Sequence, residues 1–228
     1  MLELLHGMEP EILRLFKAQY SGTFSADLWS KYKEYESKNS GNKPLVRTLH
    51  ALQEGLCVYC ERKIYVTKSE CREDELNRHV EHLLAKSTHP HLTLEYTNLA
   101  LSCTCEGKRG TSTCGAKKAE RLLPILPTEK HLHLFDLDME SGRLIPAFGV
   151  SNDDKQKVLE CISLLNLNLS ELCLRRLHII ENMKKILVAE SVEWPVKQRL
   201  LQDYCTERTA YGQPFAHTLR HVLSIFLH

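Results

Sequence analysis

Cys57-Val-Tyr-Cys60, Val80-Glu81-His82, Asn98-Leu-Ala-Leu-Ser-Cys103 and Cys114-Gly-Ala-Lys-Lys118 follow one another within a single stretch of the chain. Two thiols separated by two residues, answered by further thiols about forty residues later, have the spacing of a tetrahedral metal site. Cys57 and Cys60 form the first pair. The second pair is drawn from Cys103, Cys105 and Cys114. Cys103 and Cys114 end a Gly-, Thr- and Ser-rich loop that can bend back to bring both to one zinc ion. Cys105, two residues after Cys103, is free to point elsewhere. The competing reading is four buried, inert thiols. Cys71, Cys161, Cys173 and Cys205 have no partner at ligand spacing and read as core or surface thiols.

Between the thiols stand Glu81 and His82. A carboxylate suits a hard divalent ion such as Mg²⁺ or Mn²⁺. A neutral imidazole can take a proton from water near working pH. Adjacent residues of a regular strand face opposite ways, so a bulge or bend is expected if both are to reach one centre. Asn98 can bond His82 or its backbone and hold it in line. Lys108, Arg109, Lys117, Lys118 and Arg121 cluster beside the last thiol and suit phosphate contacts, though such a run is more often a solvated face. His79, His89 and His91 crowd the same region.

Outward from this stretch the chain reads as helical. Pro10 opens a helix with apolar positions at Ile12, Leu13, Leu15 and Phe16. A second is expected from Asp27 and Leu28 through Tyr35, and a third from Pro44, stopped by Gly55. Past the first thiol pair, an extended piece is expected at 64–66 and a strand or hairpin at 76–84. A short helix should begin at Lys117 and close at Pro124, and a β-ribbon should span 132–148 around Glu140-Ser-Gly142. Asp153 and Asp154 suit the first turn of a helix running to Leu165. Ser170 opens a long helix to about Ala189, and Pro195 and Pro214 open two more. The division expected is 1–54 helical, 55–150 metal-bound core and 151–228 helical.

The 228 residues carry 43% hydrophobic and 26% charged positions, ordinary for a globular protein able to bury a core. The formal charge of +1 gives no global sign of nucleic-acid binding and leaves local basic clusters to do that work. The opening Met1-Leu-Glu-Leu-Leu-His-Gly lacks a signal-peptide pattern, and no run reaches membrane-spanning length. The nine cysteines are then expected in the cytoplasm, where thiolate–metal binding prevails over disulfides.

Taken together, Cys57-Val-Tyr-Cys60-Glu61, Val80-Glu81-His82, Leu99-Ala-Leu-Ser-Cys103 and Cys114-Gly-Ala-Lys-Lys118 resemble the HNH endonucleases, and more closely the retron-associated and Septu-type members, the PtuB group. Leu165-Asn-Leu-Asn168 with Leu172 and Arg175-Arg176 is similar to that group's helical C-terminal part. The resemblance implies an α+β chain with a ββα-metal (His-Me finger) core inside helical flanks. It implies His82 as general base, Glu81 as ligand of the catalytic ion, and Asn98 as the middle letter of the motif. Cys57, Cys60, Cys103 and Cys114 would hold the structural zinc. Gly115 stands where the last letter, usually His or Asn, is expected, so the second ligand of the catalytic ion is a histidine from elsewhere, such as His79, or water. The resemblance further implies anti-phage defence beside an ABC-type ATPase, PtuA, in some members with a retron reverse transcriptase and its msDNA.

Two other classes compete. A zinc metalloprotease needs His-Glu-x-x-His or its inverse, and His79-Val-Glu81-His82 is one residue short. A non-catalytic, zinc-stapled adaptor that docks a partner ATPase or nucleic-acid complex explains the thiols without chemistry. Leu172, Leu174, Leu177, Ile180, Met183, Ile186 and Leu187 spread over several faces of one helix. Most of these read as core, and the remainder, with the apolar run 222–227, reads as a partner-docking surface.

Overall fold

The structure is a computed structural model that describes residues 1–20, 22–65, 78–104, 106–107, 111–188 and 193–199, with the backbone alone at 106, 107, 111, 186 and 187. Cys71, Cys105, Lys108, Arg109, Cys205, the Pro214 helix and the run 222–227 lie outside the described residues.

Three helices open the chain: α1 (Glu11–Gln19), α2 (Leu28–Asn39) and α3 (Pro44–Leu52). Apolar residues at helical spacing turn inward, Leu13 and Phe16 from α1, Trp29 and Tyr32 from α2, Leu45 and Leu49 from α3. Phe16 meets the Tyr32 ring edge-on at 5.5 Å. The buried Glu36 carboxylate receives the Tyr32 hydroxyl at 3.0 Å and the Leu45 N–H at 3.1 Å. It thereby satisfies a donor that the first turn of α3 leaves without an intrahelical partner.

After α3, Gly55 takes a positive φ of 75° and turns the chain into the thiol knuckle. The knuckle is short. Glu61 N–H reaches Cys57 O at 3.0 Å, Cys57 N–H reaches Arg62 O at 2.8 Å, and Glu61 itself has a φ of 56°. Within the described part of the 64–66 piece no strand forms; the neighbouring regular pairing is an isolated bridge, Leu56 to Lys63.

Strand β1 (Arg78–His82) pairs antiparallel with β2 (Leu99–Cys103). The buried Gln53 side chain ties α3 to this pair. It donates to Leu56 O and Leu101 O at 2.7 and 2.9 Å and accepts from Leu101 N–H at 2.6 Å. Two further small pairs follow, β3 (Glu106–Gly107) with β4 (Thr111–Ser112), then β5 (Phe135–Leu137) with β6 (Leu144–Pro146). The 132–148 ribbon is therefore present.

Helix α4 (Cys114–Lys118) begins three residues before the expected start at Lys117 and ends before Leu122. Thr113 is extended, and Ala119 with a φ of 51° stops the helix well short of Pro124. The last cysteine is consequently the residue at which α4 begins, entered with a φ of 57°. Helix α4 packs on β2 and on α5 (Asn152–Leu165). Ser151 caps α5 by accepting Asp154 N–H at 3.1 Å, and Asn166 ends it with a φ of 52°. Helix α6 (Ser170–Val188) follows, and residues 194–199 are helical around Pro195. Asn168 reads like a strand partner, exchanging bonds with Leu144 N–H at 2.8 Å and Leu144 O at 2.9 Å. One apolar core runs from Leu2 to Met183 through all these elements. Leu172, Ile180 and Met183 belong to it, whereas Leu174 is exposed.

Candidate metal centre and active site

The sulfurs of Cys57, Cys60, Cys103 and Cys114 all lie within 4.8 Å of one another, and all four residues are buried. The knuckle supplies two, the end of β2 one and the first residue of α4 the fourth. Cys60 and Cys103 are 3.7 Å apart at sulfur. A tetrahedron with zinc–sulfur bonds of about 2.3 Å has edges of about 3.8 Å. The donor set and its spacing therefore fit a four-thiolate ion site.

Charge supports the same reading. Burial drives the Cys57 and Cys114 thiols well above their ordinary range. At Cys60 burial pushes the same way, but bonds from the other three sulfurs and the Arg62 guanidinium outweigh it and hold this thiol well below. A divalent ion with four thiolates carries a net charge of −2. Arg62, 3.9 Å from Cys103 Sγ, and the buried Arg176, which feels the fields of Cys60 and Cys114, stand ready to balance it. Cys103 N–H donates to Cys57 Sγ at 3.3 Å, and the Ser102 hydroxyl lies 3.9 Å from the same sulfur. Cys161 bonds Ile125 O and stands apart from the cluster.

Strand β1 carries no bulge, because its pairing runs unbroken from Arg78 opposite Cys103 to His82 opposite Leu99. Side chains alternate, so Glu81 shares a face with His79 while His82 shares the other with Val80. The bulge expected as one route to their convergence is therefore absent, and the chain bends only beyond His82, at Leu83 and Leu84. On its face Glu81 is enclosed. Its Oε1 receives Lys118 Nζ at 2.9 Å and the Tyr59 hydroxyl at 3.2 Å, and its Oε2 lies 2.9 Å from His79 Nε2. Burial raises the Glu81 carboxyl, but His79 and Lys118 outweigh it and hold the group below its ordinary value. This carboxylate, with one oxygen turned to a half-buried imidazole, fits a divalent cation.

Lys118 does not stand on a phosphate-facing surface. Its ammonium is buried against Glu81 and donates to His82 O at 3.2 Å and Ala119 O at 3.3 Å. Lys117, one residue earlier, is exposed. Lys108 and Arg109 fall outside the described residues.

His82 is buried, its ring edge against Trp29 at a centroid distance of 4.8 Å. Nε2 faces Thr93 O at 3.0 Å. A carbonyl only accepts, so Nε2 carries the proton and the neutral ring keeps its lone pair on Nδ1. Burial lowers the pKa of His82 to about 4, so the imidazole is neutral at ordinary pH. Thr93 also lines a cleft of about 420 Å³ together with Lys17, Tyr20, Phe24 and His91. Asn98 does not bond His82. It clasps the segment just beyond it, accepting Leu84 N–H at 2.8 Å and donating to Leu84 O at 3.0 Å and Leu92 O at 3.2 Å.

Sequence reasoning passed over Tyr59, Thr93, Trp29, Ser102 and Gln53 as parts of the site. Tyr59 lies inside the Cys-x-x-Cys pair, the one signal that placed it here. The others are linked to the site through contacts across the fold.

No helix among the described residues is long and apolar enough to cross a membrane. No protein-family model matches the chain. The chain is 38% identical over 154 residues to a protein of Vibrio cholerae serotype O1 biovar El Tor assigned as the HNH endonuclease of retron Vc95, a match covering 65% of this chain and 70% of that protein. It is 35% identical over 99 residues to the Septu protein PtuB of Bacillus thuringiensis, covering 41% of this chain and 34% of PtuB. A mixed α+β chain with a buried four-cysteine cluster, matched at this level over most of a retron protein's length, belongs to the HNH endonucleases of retron and Septu type.

Proposed function

We propose that this chain hydrolyses phosphodiester bonds in nucleic acid as the effector nuclease of an anti-phage defence system. In this reading residues 55–150 form the core, with β1, β2 and α4 as its ββα-metal unit, and 1–54 and 151–228 are its helical flanks. One observation carries the reading. Glu81 is gripped from the thiol knuckle by Tyr59 and from α4 by Lys118, so the ion that binds the four sulfurs also fixes one acidic group. The ion in the thiol cluster is zinc, in a closed structural site.

His82 acts as general base. The Thr93 carbonyl holds the tautomer with the lone pair on Nδ1, and burial keeps the ring uncharged and ready to accept a proton from water. Asn98 fixes the backbone that follows His82. Glu81 holds Mg²⁺ or Mn²⁺, which when bound stabilises charge on the scissile phosphate. Lys117, with Lys108 and Arg109, meets the phosphate backbone. A chain with a net charge of +1 gains its grip on nucleic acid from partners. These are an ABC-type ATPase of the PtuA kind and, where the system is a retron, the reverse transcriptase with its msDNA.

The burial of His82 favours one alternative, a zinc-stapled adaptor that docks the ATPase or a nucleic-acid complex without cleaving. Cleavage of plasmid, single-stranded DNA and transfer RNA, with and without Mg²⁺ and co-expressed ATPase, separates the two. His82→Ala should abolish cleavage and keep its zinc. Undiminished cleavage or full protection by that variant overturns the nuclease assignment of His82.

A further inference from the structure

The residue after the last site cysteine is Gly115, which has no side chain to offer a cation. What surrounds it explains the choice. A Cβ at position 115 would lie 2.4 Å from Glu81 Oε2, 2.7 Å from His79 Nε2 and 2.9 Å from His79 Cε1. The imidazole of His79, entering from β1, already fills the space into which a side chain at 115 would project. Gly115 N–H donates to the Ser102 hydroxyl at 3.0 Å, which locks the bare backbone against this pair.

We propose that His79 and Glu81 together form a divalent-ion site, with His79 Nε2 and Glu81 Oε2 as its two protein ligands and Gly115 as the clearance that admits them. This rests on the nuclease reading above and names the ion ligand that reading lacks. Nε2 and Oε2 are 2.9 Å apart. Two ligands at about 2.1 Å from one ion and at right angles are about 3.0 Å apart, so the pair matches neighbouring corners of an octahedron. Lys118 and Tyr59 occupy Oε1 and leave the carboxylate to bind through Oε2 alone. The His79 side chain is 33% exposed, so water and a phosphate oxygen can complete the shell. A mixed imidazole and carboxylate set favours a transition ion over Mg²⁺, so Mn²⁺ should bind at least tenfold more tightly than Mg²⁺.

The test is titration of the zinc-loaded full-length protein with Mn²⁺, followed by calorimetry and electron paramagnetic resonance, with no substrate present. The intact chain should bind one Mn²⁺ beyond its zinc. His79→Ala should lose at least tenfold in Mn²⁺ affinity with zinc content and melting temperature retained. Gly115→Ala, which puts a methyl group between the ligands, should do the same, and combining the two should cost little more than either alone. His79→Ala with unchanged Mn²⁺ affinity, or an intact chain that binds no Mn²⁺, overturns the site. If Gly115→Ala fails to fold, the His79→Ala titration decides alone. Binding is read without cleavage, so an inert cleavage assay removes the nuclease reading and leaves the ion site standing.

Discussion

Replacing Lys118 with Met keeps the side-chain length and deletes the ammonium that sits 2.9 Å from Glu81. Both groups are almost wholly buried, with side-chain exposures of 1% and 7%. In a medium of effective dielectric near 20, opposite unit charges at this distance attract by about 6 kcal/mol before desolvation is counted. Removing one member of such a pair costs about 3–5 kcal/mol, because the other charge stays buried and uncompensated. Glu81 retains His79 and the Tyr59 hydroxyl, so the lower end, about 3 kcal/mol, is expected. That is a large part of a typical total of roughly 5–15 kcal/mol.

Urea unfolding of zinc-saturated protein at neutral pH, with zinc content verified in each variant, gives the measurement. Glu81→Gln combined with Lys118→Met should be more stable than the two losses added, by about 2 kcal/mol. The pH dependence has a definite sign. In the parent the Glu81 carboxyl is held below its ordinary value, so its contribution is present above the unfolded value of about 4.3 and is lost as pH falls through the folded one. Without the ammonium, burial prevails and raises the folded value, so the deficit of Lys118→Met should shrink as pH falls and Glu81 takes up a proton. A Lys118→Met cost below about 1 kcal/mol, or strict additivity with Glu81→Gln, would refute an internal role for this lysine and return it to the phosphate-facing surface.

Three further outcomes follow from the same geometry. His82 titrates near 4 when folded and about 6.5 when unfolded, so stability should be constant above pH 6.5 and fall by up to about 3 kcal/mol on the way to pH 4; urea midpoints that move equally in His82→Asn would contradict this. Cys60→Ser should lose the bound zinc and much of the folded state, whereas Cys161→Ser should leave zinc content unchanged, as metal analysis of both proteins will show. Lys117→Glu should raise KM several-fold with kcat unchanged and reduce the salt dependence of nucleic-acid binding by about one ion; an unaltered salt slope would remove Lys117 from the phosphate contacts.

What the sequence determined by itself were the features written in local spacing. Cys-x-x-Cys after a glycine stop, the proline and serine helix starts, the helix end at Leu165 and the ribbon turn at Gly142 are each specified by a few neighbouring residues and the backbone angles they permit. Cys57 and Cys60 were legible for the same reason, since their spacing is a local code, whereas the second pair stayed open among Cys103, Cys105 and Cys114 until β2 and α4 brought Cys103 and Cys114 to the knuckle. The tertiary structure decided what each polar side chain meets. Lys117 and Lys118 are chemically alike and adjacent, yet the turn of α4 exposes one and buries the other against Glu81. Glu81 and His82 are neighbours in sequence, yet the register of β1 gives them different surroundings, Glu81 among Tyr59, Lys118 and His79 and His82 against Trp29 and Thr93. His79 instead reaches Glu81, two residues away on the same face, because Gly115 from a distant helix leaves room for it. Strand alternation and helix packing act on side chains only after the elements have docked, and no short-range pattern encodes which charge will be enclosed with which.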